Sequence, residues 1–455
     1  MKQRILPIIV LFCVSILTNA SAQQTLQKVY VVNEGNFGQG NASITAYNLS
    51  DGTGTTTTNA FYKKNGLLLG DVAQSSTIIN DKIYVLVYGN SRIFVADRNT
   101  LALDKTISYD AGKEKGPRQM VAVGSNKAYV TNLDSKNISI IDLTTNSLTG
   151  SIKLTSGPEG IAVSNGKAYA ALNDLGEGDS LAVIDTQKDK VIKKIKVGDN
   201  PVDVAADNQG RVWVVCVGNY GYDSQGNYDP NLVTYGKIVV INSSDDTITK
   251  TIDVGGHPGD IALLPSLNRA YYNNGGIVSI DMKNLTALSD TLVKGSYYAM
   301  DVARDDQKPQ LFVADAADYI SSGTVINYDL TTTLPQKVTS FSAGIIPGAF
   351  GFVYSGSPLA VEPSTSKPET FALMQNYPNP FNPTTTIRYR LSGSGNVELS
   401  VYNITGSLVS KLVDTRQSEG EHSVRFDASK LSSGIYFYWL QFNGQTHIKK
   451  MILIK

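Results

Sequence analysis

The chain has 455 residues, and its 40 basic side chains cancel its 40 acidic ones, so the formal net charge at neutral pH is zero. A balanced surface gives no broad electrostatic footprint for nucleic acid or for an anionic membrane. Glycine, threonine, serine and asparagine are frequent and helix-favouring runs scarce, which suits short strands and tight turns; the length exceeds one ordinary domain unless a repeat architecture spreads it around one closed unit.

At the start, Lys2 and Arg4 precede an apolar run from Ile5 to Leu17, and Ala20-Ser21-Ala22 supplies the small-x-small pattern of a cleavage site. This predicts a secretory signal peptide over residues 1–22 and a mature chain beginning at Gln23. The apolar run falls short of the ~20 residues that span a bilayer, so no transmembrane segment is expected in the mature chain. Val10-Leu11-Phe12 lacks the small residue that a lipoprotein site needs before its cysteine, Cys13. Loss of the peptide leaves Cys216 as a lone thiol, which excludes an internal disulfide. It sits in the apolar run Val212-Trp213-Val214-Val215-Cys216-Val217 and reads as a small core residue rather than a nucleophile.

Residues 28–356 repeat one phrase. Aligned on its aromatic, the hits are Tyr30, Tyr84, Tyr129, Tyr169, Trp213, Tyr271 and Phe312. Upstream of most lies a turn residue and a short apolar strand, as in Pro117-Arg118-Gln119-Met120, Pro158-Glu159-Gly160-Ile161 and Pro201-Val202-Asp203-Val204, with Asp71-Val72-Ala73 as a weaker member. Downstream come a strand ending in aspartate (Asp142, Asp185, Asp281, Asp329) and a further strand. Four short strands per unit of about 40 residues point to an all-β fold, a seven-bladed β-propeller. Runs such as Ile138 to Ile141 are apolar at consecutive positions, as expected of strands covered on both faces. The first unit has no first strand before Lys28, and Ile346 to Tyr354 reads as a first strand with nothing after it. The two fragments complete each other, so both ends of the array are expected to share one sheet.

Tyr129-Val130-Thr131-Asn132 spells the motif of the YVTN-repeat propellers, and the Pro-x-x-Ile-Ala and Ile-Asp phrases resemble that family over residues 28–356. The resemblance implies an exported or surface-layer seven-bladed propeller, mostly without catalysis. The opening Tyr30-Val31-Val32-Asn33-Glu34-Gly35-Asn36-Phe37-Gly38 is similar to surface propellers of Bacteroidetes-type bacteria, some of which capture vitamin B12 for an outer-membrane transporter. That likeness would make the chain a corrinoid-capturing surface propeller.

Residues 357–370 are rich in serine and proline and read as a linker. In residues 371–455, alternating strands with turn signals predict a small antiparallel β-sandwich. Asn376-Tyr377-Pro378-Asn379-Pro380-Phe381-Asn382-Pro383, the strand Gly434-Ile435-Tyr436-Phe437-Tyr438-Trp439 and the Lys-rich apolar end Lys449 to Lys455 resemble the sorting domain of type IX secretion cargo. The resemblance implies type IX secretion machinery as a partner and an extracellular or cell-surface destination.

Antiparallel pairing puts the loop before the first strand and the loop between the second and third strands on one rim. Asp71, Arg118, Glu159, Asp203, Asp260 and Asp301 fall on that rim, with Asn33, Glu34, Asn36 and Phe37 in the first loop and His257 beside Pro258. The longest insertion, Asn219 to Pro230, carries Tyr220, Tyr222 and Tyr228, rigid rings that suit recognition. All fourteen are candidate ligand-binding residues. The carboxylates admit two readings. Oxygen ligands suit calcium, which would allow a lactonase-like, calcium-dependent hydrolase; alternatively, the aspartates bond backbone amides of their own turn or the next unit. Carboxylates ~10 Å apart in water repel by only about 0.4 kcal/mol, so their presence alone does not demand a metal. Catalysis is not expected: His257 is the array's one histidine, with His422 and His447 in the tail, and a Ser-His-Asp triad or a histidine-built metal site lacks material. The reading is a surface binding module for an unknown ligand or protein, with no cofactor beyond the calcium option.

Overall fold

The computed structural model describes residues 24–49, 54–109, 115–223, 226–355 and 372–454, apart from positions 289, 306, 375, 377, 392, 404–406, 419 and 444. The signal peptide expected over residues 1–22 and the linker expected over 357–370 lie outside the described residues.

Between residues 24 and 355 the described strands form antiparallel sheets one after another, each of four strands except the sixth, which has five. The second sheet, Ala73–Ile79, Lys82–Val87, Arg92–Asp97 and Leu103–Ser108, is a simple meander. The third and fourth repeat it from Pro117–Ala122 to Ser147–Lys153 and from Pro158–Ser164 to Lys190–Lys196. The fifth joins Pro201–Ala206, Arg211–Cys216, Lys237–Asn242 and Thr247–Asp253, and carries the hairpin Tyr220–Tyr222/Tyr228–Val233 between its second and third strands. The sixth begins at Ile261–Leu264 and the seventh at Ala299–Ala303. The first sheet is shared between the ends: Leu26–Asn33 pairs with Ser43–Asn48 on one side and with Pro347–Tyr354 on the other, Tyr30 lying opposite Gly351.

Each aromatic of the repeating phrase lies on the second strand of its sheet and is buried. Burial on both faces follows from the packing, because each sheet shares a hydrophobic cluster with the next. Tyr129, Ile138 and Ile152 of the third sheet pack with Ile161 and Ala168 of the fourth. Val29 and Val31 of the first pack with Phe312, Val325 and Phe341 of the seventh. A fully buried Val, Leu or Ile contributes about 1.5–3 kcal/mol, so these seams dominate stability. Outer strands face solvent and carry charge instead, as Lys190–Lys196 does, which protects an exposed edge from pairing.

The phrase also contains a latch. Tyr30 and Lys28 reach the Asn99 carbonyl oxygen of the second sheet, and the Tyr84 hydroxyl donates to Asn146 Oδ1 of the third. Tyr129 and Lys127 both donate to Asp189 of the fourth sheet. Tyr169 and Lys167 both donate to Asp246 Oδ1 of the fifth at 2.6 Å. In the fifth sheet an arginine takes over: Arg211 Nη1 donates to the Met282 carbonyl of the sixth at 2.6 Å. Lysine followed two residues later by tyrosine is thus one polar joint, made repeatedly to the turn between the third and fourth strands of the following sheet.

The first strands also touch in order, Ala73–Ile79 with Pro117–Ala122, Pro117–Ala122 with Pro158–Ser164, and onward to Ala299–Ala303, which touches Pro347–Tyr354. At Gly160 the approach is so close that a Cβ would lie 2.7 Å from the Val202 carbonyl oxygen and 2.8 Å from Asp203 Cα. Cys216 is buried, and burial pushes its thiol up to about 12, in keeping with a core role.

Residues 372–454 form two sheets around one core, Ala372–Leu373/Thr384–Leu391/Gly420–Asp427 against Leu408–Gln417/Gly395–Asn403/Gly434–Phe442/Gln445–Leu453. The asparagines of the proline-rich motif act as clamps. Asn376 Nδ2 donates to the Pro378 carbonyl and to Thr385, and Asn379 Oδ1 accepts the Ile452 amide at 2.9 Å.

Candidate functional site

Several first strands open on a proline, which needs no ladder partner at a strand's first residue. Their ladders then slip, between Pro117 and Met120, Pro158 and Ile161, and Pro201 and Asp203. Such bulges re-aim side chains. Here the residues beside them, Arg118, Glu159 and Asp203, line a cavity of ≈ 560 Å³ to which every first strand contributes.

Of the fourteen candidates, eight line this cavity: Glu34, Arg118, Glu159, Asp203, Tyr220, His257, Asp260 and Asp301. Six do not. Asn33 is fully buried, with its amide spent on Ser43, Thr45 and the Gly344 N–H. Asn36 donates to the Tyr319 carbonyl and Phe37 is 77% exposed, so both belong to an outer loop. Tyr222 and Tyr228 pack edge to face at 5.6 Å on the protruding hairpin. Asp71 needs a correction of register: Val72 has φ +51°, which places Asp71 in a turn where it accepts the Gly38 amide at 2.9 Å, and the position equivalent to Arg118 is Gln74. Sequence reasoning also missed Tyr298. The usable signal was spacing, since Tyr298 precedes Asp301 by three residues as His257 precedes Asp260.

The wall divides into two arcs. On one, the polar groups satisfy each other. Arg118 Nε donates to Glu159 Oε1 at 2.7 Å, its Nη1 donates to Gln74 Oε1 at 2.6 Å, and its guanidinium lies 5.3 Å from the centre of the Tyr88 ring. Burial pushes the Glu159 carboxyl up while Arg118 pulls it down. Asp203 is a joint: Oδ1 accepts the Val204 amide at 2.9 Å and Gln119 Nε2 at 3.4 Å, and Oδ2 accepts the Ile261 amide of the sixth sheet at 3.0 Å.

On the other arc, acceptor capacity remains. Asp260 Oδ2 accepts the Met300 amide at 3.0 Å and Asp301 Oδ1 the Val302 amide at 2.7 Å, while among the described residues neither carboxylate's second oxygen accepts a protein hydrogen bond. Glu34 Oε1 accepts the Tyr298 hydroxyl at 3.1 Å. Enclosure by protein pushes Asp260 up to about 8, helped by the charge of Asp203; it pushes Glu34 up to about 7 and Asp301 up to about 6. Aromatic rings stand at this side. Tyr220 stacks on His257 with centroids 3.9 Å apart, and Tyr298 meets Tyr319 edge to face at 5.8 Å. His257 Nδ1 lies 3.0 Å from the Val217 carbonyl oxygen, a bond that needs the proton on Nδ1.

Calcium takes about six to eight oxygen ligands at roughly 2.3–2.6 Å. Among the described residues no three acidic, histidine or cysteine side chains converge to hold a metal ion, and Asp203 spends both oxygens on protein donors. The donor set does not fit a calcium site.

Residues 375–455 match the family model of the secretion system C-terminal sorting domain. This is the type IX sorting tail expected from the proline-rich motif, and it marks the chain for export to the cell surface or the extracellular space. Among the described residues no helix is long and apolar enough to cross a membrane. Residues 27–219 match a family model described as a domain of unknown function, DUF5074, a different model from the YVTN repeat that Tyr129 to Asn132 resembles. No curated protein matches the chain. Among solved structures, hydrazine synthase of Kuenenia stuttgartiensis is similar at 14% identity and a TM-score of 0.47, over 61% of this chain and 88% of that one.

Proposed function

We propose that the chain is an exported seven-bladed β-propeller that binds a small polar ligand in its axial cavity and does not transform it. The shared first sheet, the ordered contacts between first strands and the repeated hydrophobic seams support the propeller reading. One observation carries the binding reading: a cavity of ≈ 560 Å³ whose far arc keeps carboxylate oxygens unspent beside aromatic rings. Pockets with a few convergent polar groups among apolar and aromatic walls are where small ligands bind. Against catalysis stands the use made of His257, which is committed to the Tyr220 ring and a backbone carbonyl.

The test is a thermal-shift and calorimetric screen of the purified full chain against surface-glycan fragments, corrinoids and metal ions. The reading expects a saturable shift that Tyr298→Ala abolishes. A screen with no response, or a response indifferent to Tyr298, overturns it.

A further inference from the structure

The cavity's charge is lopsided. Five carboxylates line it and one cation does, Arg118, which is already held by Glu159 and Gln74. With Arg118 set against Glu159, four carboxylates are left over; Asp203 spends both oxygens on amide donors, and the other three, Glu34, Asp260 and Asp301, are brought to the cavity by the first, sixth and seventh sheets. Asp260 and Asp301 each give one oxygen to a backbone amide, and among the described residues no arginine or lysine forms an ion pair with either, although the charge of Arg304 reaches Asp301. Tyr220, His257 and Tyr298 line the same cavity, and so do the apolar residues Val202, Ile261, Met300 and Phe350, which also pack into the seams between sheets.

Carboxylate oxygens in excess of cations, beside aromatic rings and apolar lining residues, match one kind of ligand. A positive group gains from the carboxylates and from ring quadrupoles together, whereas an anion meets repulsion from both. We infer that the ligand of this cavity is an organic cation, a protonated amine or guanidinium on an apolar body, its charge seated against Asp260 and Asp301. The inference rests on the binding reading and names the ligand class for that site. Because enclosure pushes Asp260 up to about 8 and Glu34 up to about 7, the cation binds with loss of a proton and more tightly as pH rises through that range.

Three probes of one shape and different charge test it: phenethylamine, 2-phenylethanol and phenylacetate, titrated calorimetrically into the full chain at pH 8. The expected order is amine, then alcohol, then acid, with at least a tenfold gap in Kd between amine and alcohol. The Asp260→Asn/Asp301→Asn double variant, which keeps shape and backbone acceptors, erases that gap and leaves the alcohol's affinity in place. Equal or tighter binding of the alcohol or the acid overturns the cation inference while the binding reading stands. Failure of all three probes also overturns it, and the glycan and corrinoid screen then judges the binding reading separately.

Discussion

Asp260→Asn isolates the energetic cost of keeping a carboxylate in the cavity wall. The asparagine carbonyl can still accept the Met300 amide that Asp260 Oδ2 accepts at 3.0 Å, so the joint to the seventh sheet survives and only the charge is lost. The folded protein holds the Asp260 proton up to about pH 8, against 3.8 ordinarily. Between those values the native state binds more protons than the unfolded state, so stability falls as pH rises and reaches its minimum contribution above about 8. At 1.36 kcal/mol per unit the shift bounds the cost at about 6 kcal/mol. Part of the side chain meets cavity solvent, and screening brings the expected cost to about 1–2 kcal/mol. For an array of this size that is roughly 2–3 °C in Tm. Scanning calorimetry of the full chain from pH 4.5 to 9 therefore expects a variant nearly equal to the parent at pH 4.5 and about 2–3 °C more stable at pH 9. A residual slope from Glu34 and Asp301, which rise for the same reason, remains in both proteins. A difference that does not change with pH, or a variant less stable at pH 9, refutes the reasoning.

Asp203→Ala strips acceptors from the Val204 and Ile261 amides and from Gln119, and costs about 2–5 kcal/mol in denaturant unfolding. Asp246→Ala removes the acceptor that Tyr169 and Lys167 share and leaves Tyr169 only the Ser243 carbonyl at 3.3 Å; a loss of about 1–3 kcal/mol in denaturant unfolding is expected, with Tyr169→Phe costing less in that background than in the parent. Gly160→Val drives a side chain into the Val202 carbonyl, and urea melts should show roughly 1–3 kcal/mol lost with no change at the tail's own transition. Because the cavity donors do not suit calcium, chelator treatment leaves Tm unchanged to within about 1 °C, and a larger drop would show that a cation site was missed.

The strand order was legible because the phrase that repeats is itself a joint. Lys127 and Tyr129 lie two apart on one strand, face one way and reach Asp189 together, so the requirement is local and recurs wherever one sheet meets the next. Shared pairing of the two ends was legible from the missing strand before Lys28 and the unmatched strand after Ile346. Which rim residues turn inward was not. One positive φ at Val72 moves Asp71 out of the wall and brings Gln74 in, and no pattern of residue types announces that choice. Tyr298 escaped because the seventh sheet opens on Tyr297-Tyr298-Ala299-Met300 without the proline that flags its counterparts. The insertion was visible as a loop, but pairing of Tyr222 with Tyr228 turns those rings toward each other, and Tyr220 alone reaches the cavity.

The wall aspartates carry two jobs on separate atoms, and this division makes structure and binding separable. Asp203 gives both oxygens to the scaffold, whereas Asp260 and Asp301 each give one and keep one. Replacement by asparagine keeps a carbonyl acceptor and removes charge; replacement by alanine removes both. At Asp203 asparagine must offer an NH₂ where the Ile261 or Val204 amide wants an acceptor, so even the isosteric change costs stability. At Asp301 asparagine can aim its carbonyl at the Val302 amide and its NH₂ into the cavity, so stability holds while affinity for a cation falls. If Asp203→Asn and Asp301→Asn lose equal stability in denaturant melts, the two-atom division is wrong, and the cavity-facing oxygens are part of the scaffold after all.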